Sequence, residues 1–84
     1  MAVINSAAAS GNAELVKMLL REGANPDAQQ EGGFTALHSA AHNNNVEMVQ
    51  ALLNAGADVS TRTSDGKTAA DMAGLEAAAL LKKS

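Results

Sequence analysis

A nineteen-residue stretch of this 84-residue chain recurs 33 positions further on without a gap: SAAASGNAELVKMLLREGA at 6–24 lies over SAAHNNNVEMVQALLNAGA at 39–57, with ten identities. Chance at ordinary composition gives roughly one or two. The same offset aligns Gly33-Phe34-Thr35-Ala36 with Gly66-Lys67-Thr68-Ala69, so a third, shorter copy begins near residue 66. A period of this length constrains the fold more than any other feature. It describes small units that each bury an apolar face against a neighbour, rather than one core closed on itself. One domain of three units follows: residues 1–32, 33–65 and 66–84, with the outer two as capping units.

Within the middle copy, Ala36, Leu37, Ala40 and Ala41 are spaced for one face of a short helix over 35–43, with Thr35 as its cap. Asn43-Asn44-Asn45 breaks that pattern, and asparagine tolerates the left-handed backbone that a tight interhelical turn needs. A second helix over 46–55 carries Met48, Val49, Leu52 and Leu53 on one side and Glu47 in its first turn, with Gly56 ending it. Residues 57–67 are polar, with turn chemistry at Ser64-Asp65-Gly66, and lead to Thr68 and Asp71, an approximate capping box. The first copy repeats this order: a helix over 4–9, a turn at Ser10-Gly11, Asn12 as cap, and a stripe of Leu15, Val16, Leu19 and Leu20 ending at Gly23. Pro26 and Gly32-Gly33 exclude helix from its connecting loop. Each unit reads as helix, turn, helix, then a projecting loop or hairpin.

Composition narrows the function. Apolar residues make up 46% of the chain, but Phe34 is the single aromatic, so the core is built from Ala, Leu, Val and Met. The absence of cysteine removes disulfides, thiolate metal sites and thiol nucleophiles and fits an intracellular, cytoplasmic setting. No stretch has the length or pattern of a signal peptide or membrane span. A net charge of −3 without a basic cluster argues against nucleic acid as partner.

Gly33-Phe34-Thr35-Ala36-Leu37-His38-Ser39-Ala40-Ala41, followed by Val49, Leu52-Leu53 and Gly56-Ala57-Asp58-Val59, resembles the ankyrin repeat with its Gly-x-Thr-Pro-Leu-His-x-Ala-Ala signature. The resemblance spans nearly the whole chain. It implies an all-α solenoid of helix-turn-helix units joined by β-turn or hairpin loops, a protein-binding role without catalysis or cofactor, and a structural part for His38 in bridging neighbouring loops near Thr35. Departures are Ala36 and Ala69 in place of proline, Asn44 in place of glycine, and Gln30 and Thr63 where an aspartate is usual in the loop. The last copy is compressed, its two helices shortened around Gly74 or fused. At the ends, Asn5 and Ser6 are expected to make the first face polar, and Lys82-Lys83 to complement a helix C-terminus.

The family's variable positions map to Glu31, Gly32, His42 and Asn43 in the middle unit, Ser64, Asp65 and Lys67 in the last, and Ala9 and Ser10 in the first. The resemblance implies that these line one concave side. Phe34 leads this group, because a large aromatic at a loop tip has the makings of a binding anchor, the alternative being that its ring folds back over the loop. Two other readings carry named residues. Val3, Ile4, Leu75, Leu80 and Leu81, exposed at the ends, would favour self-assembly into a homo-oligomer. His38 and His42, four apart on one helical face, have zinc-binding spacing but no third ligand in the unit. Glu14, Glu22, Glu47, Asp58, Asp65 and Asp71 all have simpler assignments at helix starts, turns or solvated faces than as a catalytic pair.

Overall fold

The structure is a computed structural model that describes residues 3–83, with side chains up to Leu81. Among the described residues there are six α-helices and no strand: α1 (Val3–Ala9), α2 (Ala13–Arg21), α3 (Ala36–His42), α4 (Val46–Asn54), α5 (Ala69–Met72) and α6 (Leu75–Lys83), with a single 3-10 turn at Glu31–Gly33. They pair as α1–α2, α3–α4 and α5–α6, and the pairs stack so that α1, α3 and α5 form one layer and α2, α4 and α6 the other. The loops expected as turns or hairpins are turns.

Local chemistry sets the helix starts. Asn12 accepts from the Leu15 amide at 3.1 Å and Asn45 from the Met48 amide at 3.2 Å, each satisfying a first-turn N–H that has no partner in its own helix. Thr68 and Asp71 form a capping box: the Thr68 amide donates to Asp71 Oδ2 at 2.9 Å and the Asp71 amide to Thr68 Oγ1 at 3.4 Å. These donors hold the Asp71 carboxyl below its ordinary range, the Thr68 backbone N–H being the largest cause. In the turn between α3 and α4, Asn44 has φ of 52°, where the first repeat has Gly11 at 77°.

The core is aliphatic. Ala36, Ala40 and Ala41 are fully buried, and such small side chains let α3 lie close to α1 and α5, while Leu37, Met48 and Leu52 fill the space between layers. Three end residues lie differently from expectation. Ile4 and Leu81 are buried at 3% and 4% exposure, because each turns inward onto its own helix pair, so neither is available to an end-to-end contact. Asn5 is also buried instead of adding polarity to the terminal face; its Nδ2 donates to the Ala28 carbonyl at 3.0 Å and ties α1 to the first loop. The side chains of Lys82 and Lys83 lie outside the described residues.

In the compressed third unit the two helices are separate and only the first is shortened: α5 has 4 residues where α1 and α3 have 7, while α6 has 9, as do α2 and α4. Ala73 is extended (φ −78°, ψ 149°), which breaks the chain between α5 and α6. The residue before α6 is Gly74, with no side chain to cap it. Asn44, from the preceding repeat, supplies the cap instead: its Oδ1 accepts from the Ala77 amide at 3.2 Å. Gly74 leaves the room, since a Cβ there would lie 2.8 Å from both Cγ and Oδ1 of Asn44. Gly74→Ala is therefore expected to cost about 1–2 kcal/mol in urea denaturation, the scale of a lost cap. In an Asn44→Gly background the added cost should fall below about 0.5 kcal/mol, whereas strictly additive costs would show that the two residues are uncoupled.

Candidate functional site

The two connecting loops end in fingers built on one hydrogen-bond frame. In the first, the Gln30 amide donates to the Phe34 carbonyl at 2.9 Å and the Gly33 amide to the Gln30 carbonyl at 2.9 Å; in the second, Thr63 to Lys67 at 2.9 Å and Gly66 to Thr63 at 2.8 Å repeat the pattern 33 residues on. The side chains preceding the turns brace them alike, Gln29 Nε2 donating to the Gly33 carbonyl at 3.0 Å and Arg62 Nη1 to the Gly66 carbonyl at 2.8 Å. Thr63 takes over part of the work of the missing aspartate, its Oγ1 accepting from the Lys67 amide at 3.3 Å.

The fingers are joined to each other. The Ser64 amide donates to the Gly32 carbonyl at 2.8 Å. At Gly33 a Cβ would lie 3.2 Å from Thr63 Cα and 3.3 Å from Ser64 N, so two backbones meet there with only a hydrogen between them. Farther along the loops, Asp27 Oδ1 accepts from the Asp58 amide at 2.7 Å. The Asp58 carboxyl is in turn held below its ordinary value by the Ser60 hydroxyl and amide.

His38 completes the link from beneath. Buried at 1% exposure, it accepts from the Thr35 amide through Nδ1 at 3.1 Å, and its Nε2 lies 3.1 Å from the Lys67 carbonyl in the next finger. An amide only donates and a carbonyl only accepts, so the ring proton sits on Nε2. With both nitrogens engaged, His38 has no lone pair for a metal. His42 is exposed, and among the described residues no group of three or more His, Cys, Asp or Glu side chains is placed to hold an ion.

Most of the residues singled out from the sequence are at the surface. Glu31, Ser64, Asp65 and Lys67 are exposed on the adjacent fingers, with Gly32 half-buried between them at φ 84°. Ala9 and Ser10 at the end of α1, and His42 and Asn43 at the end of α3, are exposed too, in the same layer but about 10 Å from the fingers by the rise of a seven-residue helix. Phe34 departs from the expected exposed tip. Its ring lies back over Gly32, where a Cβ would meet Cδ2 at 3.2 Å, and stands edge-on to His38 with centroids 6.0 Å apart, leaving it half-buried.

One feature was not anticipated from the residues. Between α2 and α4, on the layer away from the first helices, runs an open groove of about 690 Å³ with Leu20, Val46 and Ala51 in its floor. Lys17 crosses it to pair with Glu47, which raises the lysine's pKa, the hydrogen bond to Glu47 being the largest cause. Opposite charges at Lys17 and Glu47 were the available signal, but their nearness depends on the stacking of α2 on α4.

Tandem helix pairs stacked in two layers, with turn fingers hydrogen-bonded across repeats, define a repeat solenoid. The family model for ankyrin repeats, in three copies, matches residues 4–83, and the chain belongs to that family. A search of the curated proteins finds no match to it.

If His38 is the link between fingers, His38→Ala leaves the Thr35 amide and Lys67 carbonyl without their partner and opens a cavity. A loss of about 2–4 kcal/mol in equilibrium unfolding is expected, and a loss under about 1 kcal/mol would show that the bridge is dispensable.

Proposed function

We propose that the chain is a non-catalytic protein-binding module that meets its partner with the two fingers and the exposed ends of α1 and α3. One observation carries this reading: two fingers with the same hydrogen-bond frame present different chemistry, Glu31, Gly32 and Phe34 on one and Ser64, Asp65 and Lys67 on the other. Nothing in that frame requires a phenyl ring at one position and an ammonium at its counterpart. The half-buried Phe34 is the apolar anchor, and Glu31, Asp65 and Lys67 around it set the register of a partner with complementary charge. His42, Asn43, Ala9 and Ser10 form the floor beyond. The absence of a basic cluster from the sequence and of any helix long and apolar enough to cross a membrane among the described residues favours a protein partner, met in the cytoplasm.

Affinity capture from the source cell, repeated with finger variants, tests this reading. Against a captured partner, Phe34→Ala is expected to weaken binding at least tenfold, about 1.4 kcal/mol, and Lys67→Glu to slow association, both with an unchanged circular-dichroism spectrum. Unaltered dissociation constants in both variants would remove the fingers from the interface.

A further inference from the structure

The groove between α2 and α4 lies inside the stack, walled by two successive repeats. Leu20, Val46 and Ala51 in its floor are half-buried, and Arg21, Gln50 and Asn54 are exposed along its rim. Its charges are unevenly matched. Toward the start of the helices, Lys17 is met by Glu47 across the groove and by Glu14 at 3.6 Å on its own helix. Arg21 stands one turn further along α2 and, among the described residues, has no carboxylate within 4.0 Å. Because α2 and α4 are the second helices of successive repeats, they run in the same direction. The register that brings Glu47 to Lys17 therefore brings Gln50 and Ala51, three and four positions after Glu47, to Arg21. Neither is charged, and the alanine keeps the space before the guanidinium open.

The rim also has groups that suit a peptide backbone. Gln50 Nε2 donates to Asn54 Oδ1 at 3.2 Å, which leaves Gln50 Oε1 to accept and Asn54 Nδ2 to donate. Length sets the form of what fits. Each wall is a helix of 9 residues, about 13 Å, and four residues of extended chain cover the same distance. On an extended chain, side chains two residues apart face the same way at a spacing of about 6.6 Å, close to the 5.4 Å rise of one helical turn. An acid and an aliphatic residue two apart thus reach Arg21 and the floor together.

We propose that the α2–α4 groove docks a short extended segment of another protein that pairs one acidic with one aliphatic side chain. The carboxylate takes two N–H donors of Arg21, and the aliphatic side chain covers Leu20, Val46 and Ala51. At the other end the Lys17–Glu47 pair crosses the groove and limits the segment to about four residues. So small a contact is weak by itself. It uses none of the finger residues and stands or falls independently of the role proposed for them.

The probes are capped serine peptides carrying one glutamate and one leucine, adjacent, two apart or three apart. Titrated to about 2 mM into the isotope-labelled whole chain, the peptide with the two residues two apart should shift the amides of Leu20, Gln50, Ala51 and Asn54 saturably. The amides of Glu31, Ser64 and Lys67 should stay in place. Arg21→Gln should weaken binding at least tenfold, and so should Ala51→Glu, which gives Arg21 a carboxylate from within the chain. Arg21→Glu should reject the glutamate peptide and bind its lysine counterpart within about threefold of the original affinity, a reversal that altered stability alone would not produce. Circular dichroism identifies variants that have lost their fold, and Arg21→Gln, at an exposed position, decides the case if Ala51→Glu is among them. No saturable shift with any peptide, shifts confined to the fingers, a folded Arg21→Gln chain that binds as before, or a folded Arg21→Glu chain indifferent to the peptide's charge would overturn the proposal.

Discussion

A four-residue helix such as α5 has no stability of its own, since the first turn fixes several backbone angles for one hydrogen bond. What makes the third repeat possible is contact with the second, and His38 is the buried polar part of that contact. Its ring spans from the Thr35 amide that opens α3 to the Lys67 carbonyl that precedes Thr68, the cap of α5. One buried side chain therefore closes the capping box of one helix and fixes the loop that starts the next. Had the position been an exposed glutamate, as in an ordinary capping box, the first task would be done and the second would not.

The joints between repeats share a form: a polar group in a turn or loop reaches past its own unit. Asn44 has a backbone conformation few side chains accept and uses its amide oxygen to cap α6, whose own cap position is glycine. Asp27 accepts from Asp58 one repeat on, and Ser64 donates back to Gly32. These bonds lie at the loops and turns, while the helices between them meet through alanine, leucine and methionine. The apolar layers supply most of the free energy and tolerate some sliding; the polar joints are directional and set the register. A surface made of fingers can thus be altered residue by residue while its frame stays in place.

The parts of this architecture that depend on near neighbours in the chain were legible from the residues. Caps at Asn12, Thr35, Asn45 and Thr68, the left-handed turn at Asn44 and the stripe ending in Leu52 all follow from spacing within one unit. How far the Phe34 ring folds back depends on the space above Gly32, which no linear pattern displays. Asn5 looked like surface polarity until the Ala28 carbonyl was placed beside it. Val3 and Ile4 are adjacent and both apolar, yet one is exposed and the other buried, a distinction fixed only by where α1 turns against α3. The break at Ala73 and Gly74 could be read as shortened or fused helices until Asn44 was seen to fill the space.

The fingers are locked to each other across repeats, so the presented surface is formed before any partner arrives. The Ser64 amide, held by the Gly32 carbonyl at 2.8 Å between two exposed loops, reports on this directly. Native-state hydrogen exchange at Ser64 should show protection approaching that of the core amides of α4, opening only as the stack unfolds. Exchange at the rate of a free loop amide would mean that the fingers move independently and that the frame described for them does not persist in solution.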